Sequence, residues 1–523
     1  DAVVAALRAE GRIRGEQPYA HAVPFSHRSG ERIEPLISLQ WFCRMDELAR
    51  PATEVVERNQ VRIAPEQHRR VYLEWMRKIR PWCISRQLWW GHRLPVWYCD
   101  ACEETYVAES APARCGACDG DLRQEEDVLD TWFSSALWPF ATLGWPDADA
   151  PLLRAFYPTS VLSTARDIIF LWVARMVMMG IEFTGRAPFR DVNVHAVIQA
   201  PDGRRMSKSL GTGIDPLDEI EVHGADALRF GLLAMSSTQD VRYSVDRVQQ
   251  GRDLANKMWN ASRLILLNGG DAEPGPRTDR IEDRWILSRL EDTIGSVTDG
   301  IDAYDFAHAV LDFYAFFWSE FCDWNLEIVK PRLYDGEPDA AANLLFVLER
   351  VLALAHPVMP FVTEEIWAYL PDRDDLLVVS EFPTVDRSLV DTEAALAVQR
   401  GIEQVRRVRR WRDLVGVPPA AVLEARLDGE LDFVPRLARL TQTVATESPL
   451  ATIGGIPLLA GAQIDRAQVE SRIAQARDEL RLEIERAEAK LDNEGFVAKA
   501  PPEVVEAERE KLARYRAELE ELG

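Results

Sequence analysis

The sequence predicts an α/β layered region, followed by a mainly helical region and then a C-terminal pair of antiparallel helices. Between residues 151 and 246, strand-like and helix-like segments alternate, and one strand leads through a glycine-containing loop into a helix. From residue 247 to residue 427, apolar residues recur three and four positions apart. Residues 465–523 carry two apolar helical stripes separated by a break. With 523 residues, the chain is long enough for several such domains.

The composition is typical of a soluble globular protein, with 47% hydrophobic and 28% charged residues. The net charge of −24 disfavours a polyanionic partner in general, but local basic patches decide nucleic-acid binding. One such patch is "VRRVRRWR" at residues 405–412, which is either a solvated helix face or a nucleic-acid contact. The sequence has no run of about 18 apolar residues and no signal-peptide pattern, so we expect a cytoplasmic protein without a membrane segment.

Several local signals place the elements of the α/β region in order. Residues 39–144 are rich in tryptophan interleaved with arginine, which indicates a lined pocket or an interface. The apolar segment 167–183 has the length of a buried helix, and residues 191–199 form a strand candidate rich in Val and Ile. A helix start follows, with Asp215 at the N-cap and Pro216 at the first helical position.

The C-terminal tail repeats apolar residues at helical spacing along two stripes. The break between them contains Gly495, Pro501 and Pro502, so an antiparallel helical hairpin is the simplest prediction. Segment 428–464 has few clear signals, and we predict a linker there. The first stripe comprises Val469, Ile473, Ala476, Leu480, Ile484, Ala487 and Leu491, and the second comprises Leu512, Tyr515, Leu519 and Leu522.

Four of the seven cysteines form two Cys-x-x-Cys pairs with 12 residues between them. This spacing lets four thiolates surround one zinc ion, so we predict a zinc ribbon, with a metal-free ribbon as the alternative. Disulfides would need an oxidising compartment, which nothing in the sequence indicates. We expect the other three cysteines to be buried, unreactive thiols. The pairs are Cys99 with Cys102 and Cys115 with Cys118, and the remaining cysteines are Cys43, Cys83 and Cys322.

The stretch "DGRRMSKSLGTG", residues 202–213, is a basic loop bounded by glycines. The glycines allow close backbone approach to a ligand, and the ammonium group of Lys208 would stabilise charge on a phosphate leaving group. Ser207 and Ser209 can donate hydrogen bonds to phosphate oxygens. The loop is not a Walker A loop, because the G-x-x-x-x-G-K-[ST] pattern is absent. A basic surface turn is the alternative.

Within this loop, "RMSKS" resembles the Lys-Met-Ser-Lys-Ser loop of class I aminoacyl-tRNA synthetases. Longer stretches are similar to the valyl-tRNA synthetase family, and they run in that order from about residue 20 to residue 523. "DTWFSSALWP" and "NEGFVAKAPPEVVEAEREKL" separate this family from the isoleucyl and leucyl enzymes. The other stretches are "PWCISRQLWWGHRLPVWYC", "FCDWNLEIVKPRLY" and "HPVMPFVTEEIW". An isoleucyl-tRNA synthetase and a non-catalytic tRNA-binding relative are the alternatives.

The resemblance implies a partial Rossmann-like α/β catalytic core with a zinc ribbon, then an all-α anticodon-binding bundle and a coiled-coil hairpin. In this family a hydrophobic valine pocket rejects isosteric threonine poorly. A separate inserted domain therefore hydrolyses the wrong products, which is called editing. The implied domains are 1–38, the end of the editing insertion; 39–150, core and connective segment with the ribbon at 97–120; 151–246, the second half of the catalytic domain with the RMSKS loop; 247–427, the anticodon-binding domain; 428–464, the linker; and 465–523, the tRNA-binding hairpin.

The resemblance also implies the reaction, which is ATP-dependent activation of valine to valyl-adenylate and transfer of valine to tRNA(Val). ATP with Mg²⁺, structural Zn²⁺ on the four paired cysteines and a monomeric enzyme belong to the same expectation. The implied catalytic residues are Arg205, Ser207, Lys208 and Ser209. The implied ATP-binding residues are Met206, Lys208, His195 and Val197. The implied tRNA-binding residues are Arg406, Arg409 and Arg410.

The valine site implied by the resemblance combines an apolar wall with a carboxylate. Trp132 and Ile168 would bound a small pocket that excludes larger side chains, and Asp167 would pair with the α-ammonium group. From the residues alone, Asp167 is equally well an N-cap of the helix that follows it.

The sequence departs from the family pattern at three places. Arg205 stands where lysine is usual, which keeps the charge but replaces a point charge with a planar guanidinium. Ala196 replaces a usual glycine beside the implied nucleotide site. None of the eight histidines fits the second ATP motif of class I enzymes, His-x-Gly-His. We therefore expect this chain to be the C-terminal portion of a longer enzyme and to be inactive by itself.

Overall fold

The computed structural model describes residues 2–15, 17–26, 29–207, 211–269, 271–371, 373–461 and 464–522. The chain divides into two compact units. The first unit comprises Asp1–Leu162 and Asp167–Val192, and the second comprises Ser163–Arg166 and Asn193–Gly523. Among the described residues, no helix is both long enough and apolar enough to cross a membrane.

The first unit is built from helices and short strands. Its helices are α1 (Ala2–Ala9), α2 (Asp46–Glu57), α3 (Glu66–Arg77), α4 (Thr131–Ala136), α5 (Trp138–Ala141), α6 (Pro151–Phe156) and α7 (Ala174–Thr184). Its strands are β1 (Phe42–Cys43), β2 (Arg62–Ala64), β3 (Trp82–Cys83), β4 (Ser85–Arg86), β5 (Val96–Cys99), β6 (Thr105–Val107), β7 (Leu122–Gln124) and β8 (Val128–Leu129). Strands β9 (Thr159–Ala165) and β10 (Phe189–His195) continue from this unit into the second, and β2, β10 and β9 form a sheet in that order.

The buried helix predicted at residues 167–183 is confirmed, but its first part is not α-helical. A 3₁₀ turn at Arg166–Ile168 and a π-helical turn at Ile169–Val173 lead into α7. Helices α2 and α4 pack against α7. Most apolar residues of α7, among them Met176 and Val177, are buried, whereas Phe183 near its end is 43% exposed. The apolar run therefore supplies core to the first unit, as its composition predicts.

The second unit is mainly helical, as the sequence predicts for residues 247–427. Its helices are α8 (Pro216–His223), α9 (Ala225–Leu233), α10 (Val245–Asn268), α11 (Ile281–Asp302), α12 (Phe306–Tyr314), α13 (Leu326–Tyr334), α14 (Pro338–Ala355), α15 (Pro360–Trp367), α16 (Thr392–Leu414), α17 (Phe433–Ala438), α18 (Arg466–Leu491), α19 (Glu494–Lys499) and α20 (Pro502–Glu521). Residues Ala315–Asn325, between α12 and α13, form a π-helix. The strands are β11 (Ile198–Gln199), β12 (Val241–Arg242), β13 (Leu423–Ala425), β14 (Leu440–Gln442), β15 (Ala451–Ile453) and β16 (Ile456–Leu459).

The helix start predicted at Asp215 and Pro216 is confirmed. Helix α8 begins at Pro216, and the carboxylate of Asp215 accepts a hydrogen bond from the Leu217 N–H at 2.9 Å. The helical segment is interrupted at Gly224, whose φ of +92° separates α8 from α9. The strand predicted at residues 191–199 is likewise divided, into β10 and β11.

The core of the second unit extends from α9 through the helical bundle to the base of the last helices. Its fully buried aromatic side chains include Trp285 on α11, Trp411 on α16 and Phe317 in the π-helix. Each large apolar side chain buried in this way contributes about 1.5–3 kcal/mol. Burial of apolar surface therefore stabilises the bundle.

The prediction of a linker at residues 428–464 is wrong. Strands β13 to β16 form a small sheet in the order β14–β13–β16–β15, and α17 connects β13 to β14. The sheet packs into the bundle core through Leu423, Ile456 and Leu458, which are fully buried. Each strand is only three or four residues long, so the alternation of apolar and polar residues is too short to be recognised in the sequence.

The predicted pair of C-terminal helices is present. Helices α18 and α20 pack side by side. They are antiparallel, because Arg477 donates to the Leu522 carbonyl at 3.1 Å near one end while Lys490 pairs with Glu508 at 2.7 Å near the other. The predicted break contains the short helix α19, capped by Asn493. The buried members of the first apolar stripe are Val469, Ile473, Leu480, Ile484 and Ala487.

Candidate functional site

The basic loop at residues 202–213 is only partly within the described residues. Lys208 and Ser209, two of the predicted catalytic residues, lie outside them. Arg205 is exposed, whereas Met206 and Ser207 are half-buried. The described part therefore presents one of the predicted cations to solvent.

The loop is entered through a tight turn. Gly203 has a φ of +83°, and a Cβ there would lie 3.1 Å from the Arg242 Nε. The carboxylate of Asp202 accepts hydrogen bonds from the Arg204 N–H at 3.0 Å and from its guanidinium at 2.7 Å. These contacts, first of all the backbone hydrogen bond, lower the pKa of Asp202. The charge of Arg204 is thus balanced within the turn, so Arg205 is the better candidate for an anionic ligand.

Thr212 closes the described part of the loop. Its hydroxyl accepts a hydrogen bond from the Ser207 N–H at 3.0 Å and donates one to the Arg205 carbonyl at 2.8 Å. The Thr212 N–H also donates to the Ser207 carbonyl at 3.2 Å. One side chain therefore holds two of the residues that precede Lys208. Sequence reasoning missed Thr212, because a hydroxyl that bonds backbone groups across a loop has no spacing signature.

His195 and Val197, the residues predicted to meet ATP from the strand edge, flank the gap between β10 and β11. His195 is exposed, and its Nδ1 lies 2.9 Å from the Ala196 carbonyl oxygen. The Val197 N–H donates to Asp240 at 3.0 Å, and Asp240 also pairs with Arg166 at 2.6 Å. Because the Val197 N–H is used within the protein, the imidazole of His195 is the more accessible polar group of the two.

Trp132 lines a cleft of about 720 Å³ in the first unit, together with Trp75 and Trp82. The cleft agrees with the prediction of a lined pocket in the tryptophan-rich region. It contains a buried carboxylate, Asp130, which accepts a hydrogen bond from the Trp82 indole N–H at 2.9 Å. Arg86 pairs with the same carboxylate at 3.0 Å.

Arg175 on α7 extends this polar cluster. Its guanidinium lies 3.9 Å from the centre of the Trp82 ring and 3.8 Å from the Asp130 carboxylate. Desolvation lowers the pKa of Arg175, Asp130 opposes this shift, and Arg86 adds to it. Two arginines around one carboxylate give this part of the cleft a net positive charge, which favours an anionic group.

Asp167 and Ile168 lie in the 3₁₀ turn Arg166–Ile168 that precedes the π-helical turn. Asp167 is exposed and Ile168 is half-buried. The N-cap position of the π-helical turn is Ile168, and it makes no side-chain cap hydrogen bond. Asp167 is therefore not the N-cap of the helical segment, which was the alternative prediction for this residue.

The four paired cysteines converge on one point. Their sulfur atoms all lie within 4.8 Å of one another, and the Cys99–Cys118 and Cys102–Cys115 sulfurs are each 3.5 Å apart. Four sulfurs bound to one zinc ion at about 2.3 Å would be about 3.8 Å apart, so the arrangement fits a tetrahedral metal centre. The hydrogen bond from the Tyr106 hydroxyl lowers the pKa of the Cys115 thiol to about 6. The surrounding sheet has the strand order β6–β5–β7.

The remaining cysteines do not share one environment. Cys322 is buried, and desolvation raises the pKa of its thiol to about 12, as expected for an unreactive cysteine. Cys43 and Cys83 are only half-buried. The expectation of a buried thiol is therefore confirmed for Cys322 and wrong for the other two.

The basic run at residues 405–412 lies on α16, where it is divided among three environments. In the first, Arg406 and Arg409 are three residues apart on one face of the helix. Their guanidinium carbons lie 5.3 and 5.6 Å from the centre of the Trp324 ring, and both side chains are exposed. They border a cleft of about 710 Å³, which Lys257 also lines. Arginine stacked on tryptophan beside an open cleft is a suitable surface for an unstacked base and its phosphate.

The second environment faces the C-terminal helices. Arg407 pairs with Glu521 of α20 at 2.9 Å, and Arg410 lies 3.9 Å from the same carboxylate oxygen. Arg410, a predicted tRNA contact, is thus placed beside an intramolecular acid.

The third environment is internal. Arg412 is 3% exposed, and its guanidinium donates to backbone carbonyls between 2.8 and 3.4 Å away. Desolvation, assisted by Arg439, lowers the pKa of Arg412 to about 10. Arg412 is therefore a structural side chain and not part of a nucleic-acid surface. The carbonyls belong to Pro418, Ala421, Ala438 and Arg439.

Known protein families match the chain in three successive segments. Residues 25–244 match the tRNA synthetases class I (I, L, M and V), residues 283–427 match the anticodon-binding domain of tRNA ligase, and residues 465–523 match the valyl tRNA synthetase tRNA binding arm. The chain therefore contains a class I tRNA synthetase segment, an anticodon-binding segment and a valyl tRNA binding arm, in that order.

Two individual relatives show which class I synthetases this chain is similar to. The valine–tRNA ligase of Clostridium acetobutylicum is 41% identical over 99% of this chain, and that of Bacillus subtilis is 41% identical over 98%. The chain is therefore similar to valine–tRNA ligases along nearly its whole length. It spans 62% and 61% of the length of these two relatives. The valyl tRNA binding arm and these two relatives are similar to this chain, and they favour a resemblance to the valyl enzymes over the alternative of an isoleucyl enzyme.

A solved structure shares the fold at low sequence identity. Mycobacterium tuberculosis methionyl-tRNA synthetase in complex with methionyl-adenylate is 20% identical, with a TM-score of 0.52. The match covers 69% of this chain and 71% of that protein. At this identity the likeness concerns the fold alone.

Proposed function

We propose that this chain provides the basic loop at residues 202–213 and the tRNA-binding helices of a valine–tRNA ligase. Such an enzyme activates valine with ATP and transfers it to tRNA(Val). The proposal rests on the succession of three matched segments, which ends in the valyl tRNA binding arm. It is supported by 41% identity to valine–tRNA ligases along nearly the whole chain.

In this proposal the loop at residues 202–213 binds the triphosphate of ATP. The exposed guanidinium of Arg205 and the hydroxyl of Ser207 contact phosphate oxygens, and Lys208 and Ser209 complete the set of catalytic residues. Met206, His195 and Val197 contact the nucleotide, which carries Mg²⁺. The exposure of Arg205 to solvent supports its proposed role as a phosphate contact.

The valine side chain is proposed to pack against Trp132 and Ile168, with the α-ammonium group on Asp167. A half-buried indole offers apolar surface, and an exposed carboxylate can pair with an ammonium group without a large desolvation penalty. Residues 1–38 are proposed to be the end of an editing insertion.

The four paired cysteines are proposed to hold a structural zinc ion. Their sulfur separations match a Cys₄ centre, and sulfur donors suit zinc. The ion would link the two Cys-x-x-Cys turns of the ribbon.

The tRNA is proposed to contact both ends of the helical unit. Arg406 and Arg409 beside Trp324 contact the anticodon arm, and the hairpin of α18 and α20, a coiled coil in this proposal, contacts the tRNA body. We propose a monomer that acts in the cytoplasm. The sequence contains no His-x-Gly-His motif, so we expect the 523-residue chain to bind tRNA(Val) without activating valine.

The test is tRNA binding by the 523-residue chain, with tRNA(Val) and tRNA(Ile) compared at several salt concentrations. We expect tighter binding of tRNA(Val), and Arg406→Gln should weaken it about threefold to tenfold and reduce the slope of log K against log salt by about 1. Arg400→Gln, an exposed arginine on the same helix, is the matched control and should change neither quantity. Equal affinity for both tRNAs would contradict the proposal.

Valine activation is tested separately by valine-dependent ATP–pyrophosphate exchange. We expect no exchange with this chain alone, and exchange when a segment that carries His-x-Gly-His is supplied. If such a segment restores no exchange while tRNA(Val) still binds, the non-catalytic tRNA-binding alternative is favoured.

A further inference from the structure

The base of the C-terminal hairpin is held by a buried carboxylate. The side chain of Glu521 is 6% exposed, and Arg407 pairs with it at 2.9 Å while Arg410 lies at 3.9 Å. Its second oxygen, Oε2, has no hydrogen-bond partner within the described part of the chain. A carboxylate that is desolvated to this extent depends on its ion partners, and separating the partners is strongly unfavourable.

Further contacts fix the same end of the hairpin. Leu522 is fully buried, and its carbonyl accepts a hydrogen bond from Arg477 of α18 at 3.1 Å. Arg472 of α18 donates to the Gly416 carbonyl, just after α16, at 2.7 Å. Both helices of the hairpin are therefore joined to the end of the bundle that contains α16.

The two pairs of arginines on α16 have different surroundings. Successive residues on an α-helix are about 100° apart, so the pair Arg407 and Arg410 is turned by about 100° around the helix from the pair Arg406 and Arg409. Arg407 and Arg410 neighbour the buried carboxylate of Glu521, whereas Arg406 and Arg409 border the open cleft beside Trp324. Arg406 also lies 3.9 Å from Glu403, but that carboxylate is half exposed to solvent. An arginine paired with a buried carboxylate displaces few counterions when a phosphate approaches, so it adds little to salt-dependent binding.

We infer that Glu521 is a positioning residue that locks the tRNA-binding hairpin to α16 through Arg407 and Arg410, and that these two arginines act on tRNA only through the hairpin. This inference rests on the proposed tRNA-binding function. It removes Arg410 from the direct tRNA contacts and divides the basic run into a binding pair and an anchoring pair.

The first test measures the hairpin without tRNA, by hydrogen exchange of the 523-residue chain. Glu521→Gln keeps the shape and removes the charge, and we expect exchange in α20 and in the first turns of α18 to accelerate about threefold to thirtyfold. Glu520→Gln, an exposed neighbour on α20, removes the same charge and should leave exchange unchanged. Glu521→Asp keeps a carboxylate and should restore part of the protection. Equal exchange in Glu521→Gln and Glu520→Gln would overturn the inference.

The second test separates anchoring from direct contact by salt dependence. Arg407→Gln should weaken tRNA(Val) binding while leaving the slope of log K against log salt unchanged, whereas Arg406→Gln should reduce that slope by about 1. A slope reduced by about 1 in Arg407→Gln would show a direct phosphate contact and would overturn the inference. If the unaltered chain binds no tRNA, the proposed function fails, and the exchange result alone decides whether Glu521 anchors the hairpin.

Discussion

The cysteine cluster of the first unit and Arg412 of the second are both polar centres that hold short segments of chain together. They differ in what completes them. The guanidinium of Arg412 is buried against four backbone carbonyls of the chain itself. The four sulfurs lie within 4.8 Å of one another, at separations that suit a metal ion. Arg412 is also surrounded by the large apolar core of its unit, whereas the ribbon strands are only three or four residues long.

This difference predicts the conditions under which each region loses its structure. A centre whose partners all belong to the chain is lost only when the chain unfolds or a partner is replaced. A centre that needs an ion depends on the supply of that ion, because metal binding free energy becomes folding free energy. Removal of the metal should therefore destabilise the cysteine cluster and leave the region around Arg412 stable.

Metal removal is the largest effect that we expect. Structural zinc supplies about 10–16 kcal/mol of apparent binding free energy at neutral pH, so a chelator should abolish protection of the ribbon. Hydrogen exchange at residues 97–120 should become fast, while the helical unit keeps its protection. The measurement combines exchange with metal analysis, which should give one zinc ion per chain.

Two variants control this experiment. Cys115→Ser should release the metal and reproduce the effect of the chelator, whereas Cys43→Ser, in the same unit but outside the cluster, should retain it. If the chain purifies without metal and its ribbon is equally protected with and without chelator, the metal-free alternative is correct.

Replacement of Arg412 is the second effect in size. Arg412→Met keeps much of the side-chain volume but leaves buried carbonyls without a donor, which should lower the free energy of unfolding by about 2–4 kcal/mol. Arg412→Lys should give an intermediate loss, because one ammonium group cannot span four acceptors as a planar guanidinium does. Denaturant unfolding of the 523-residue chain measures both values.

Arg400→Met is the matched control for this prediction, because Arg400 is exposed on the same helix. Surface substitutions of this kind usually change stability by no more than about 0.5 kcal/mol. A loss in Arg412→Met as small as that of the control would contradict a structural role for the buried guanidinium.

The same two regions show what could be predicted from the sequence. The cysteine cluster was predictable, because the sulfurs that meet are fixed by two local Cys-x-x-Cys turns. The role of Arg412 was not, because its acceptors lie up to 27 residues away in a segment without clear signals. A run of arginines on a helix shows that the surface is basic, but it does not show which distant partner each side chain meets.

The fold shows the same contrast between features set by local sequence patterns, which could be predicted, and features that depend on distant partners, which could not. The N-cap Asp215, the buried helix before Thr184 and the C-terminal hairpin depend on patterns within one segment, and these were predicted. The sheet of β13 to β16 depends on pairing between very short strands, and it was missed. The cleft beside Trp324 was missed for the same reason, because α10, the π-helix and α16 are far apart in sequence.

Thr212 is the smallest of these self-contained polar centres, with one hydroxyl between two backbone groups. Thr212→Val keeps the shape and removes both hydrogen bonds. A typical net contribution of about 0.5–1.5 kcal/mol predicts roughly threefold to tenfold faster hydrogen exchange of the Ser207 amide. The measurement is amide exchange of the 523-residue chain without ligand, resolved at Ser207. Thr212→Ser keeps the hydroxyl and should retain most of the protection, so equal acceleration in both variants would mean that the methyl group, and not the hydroxyl, holds the loop.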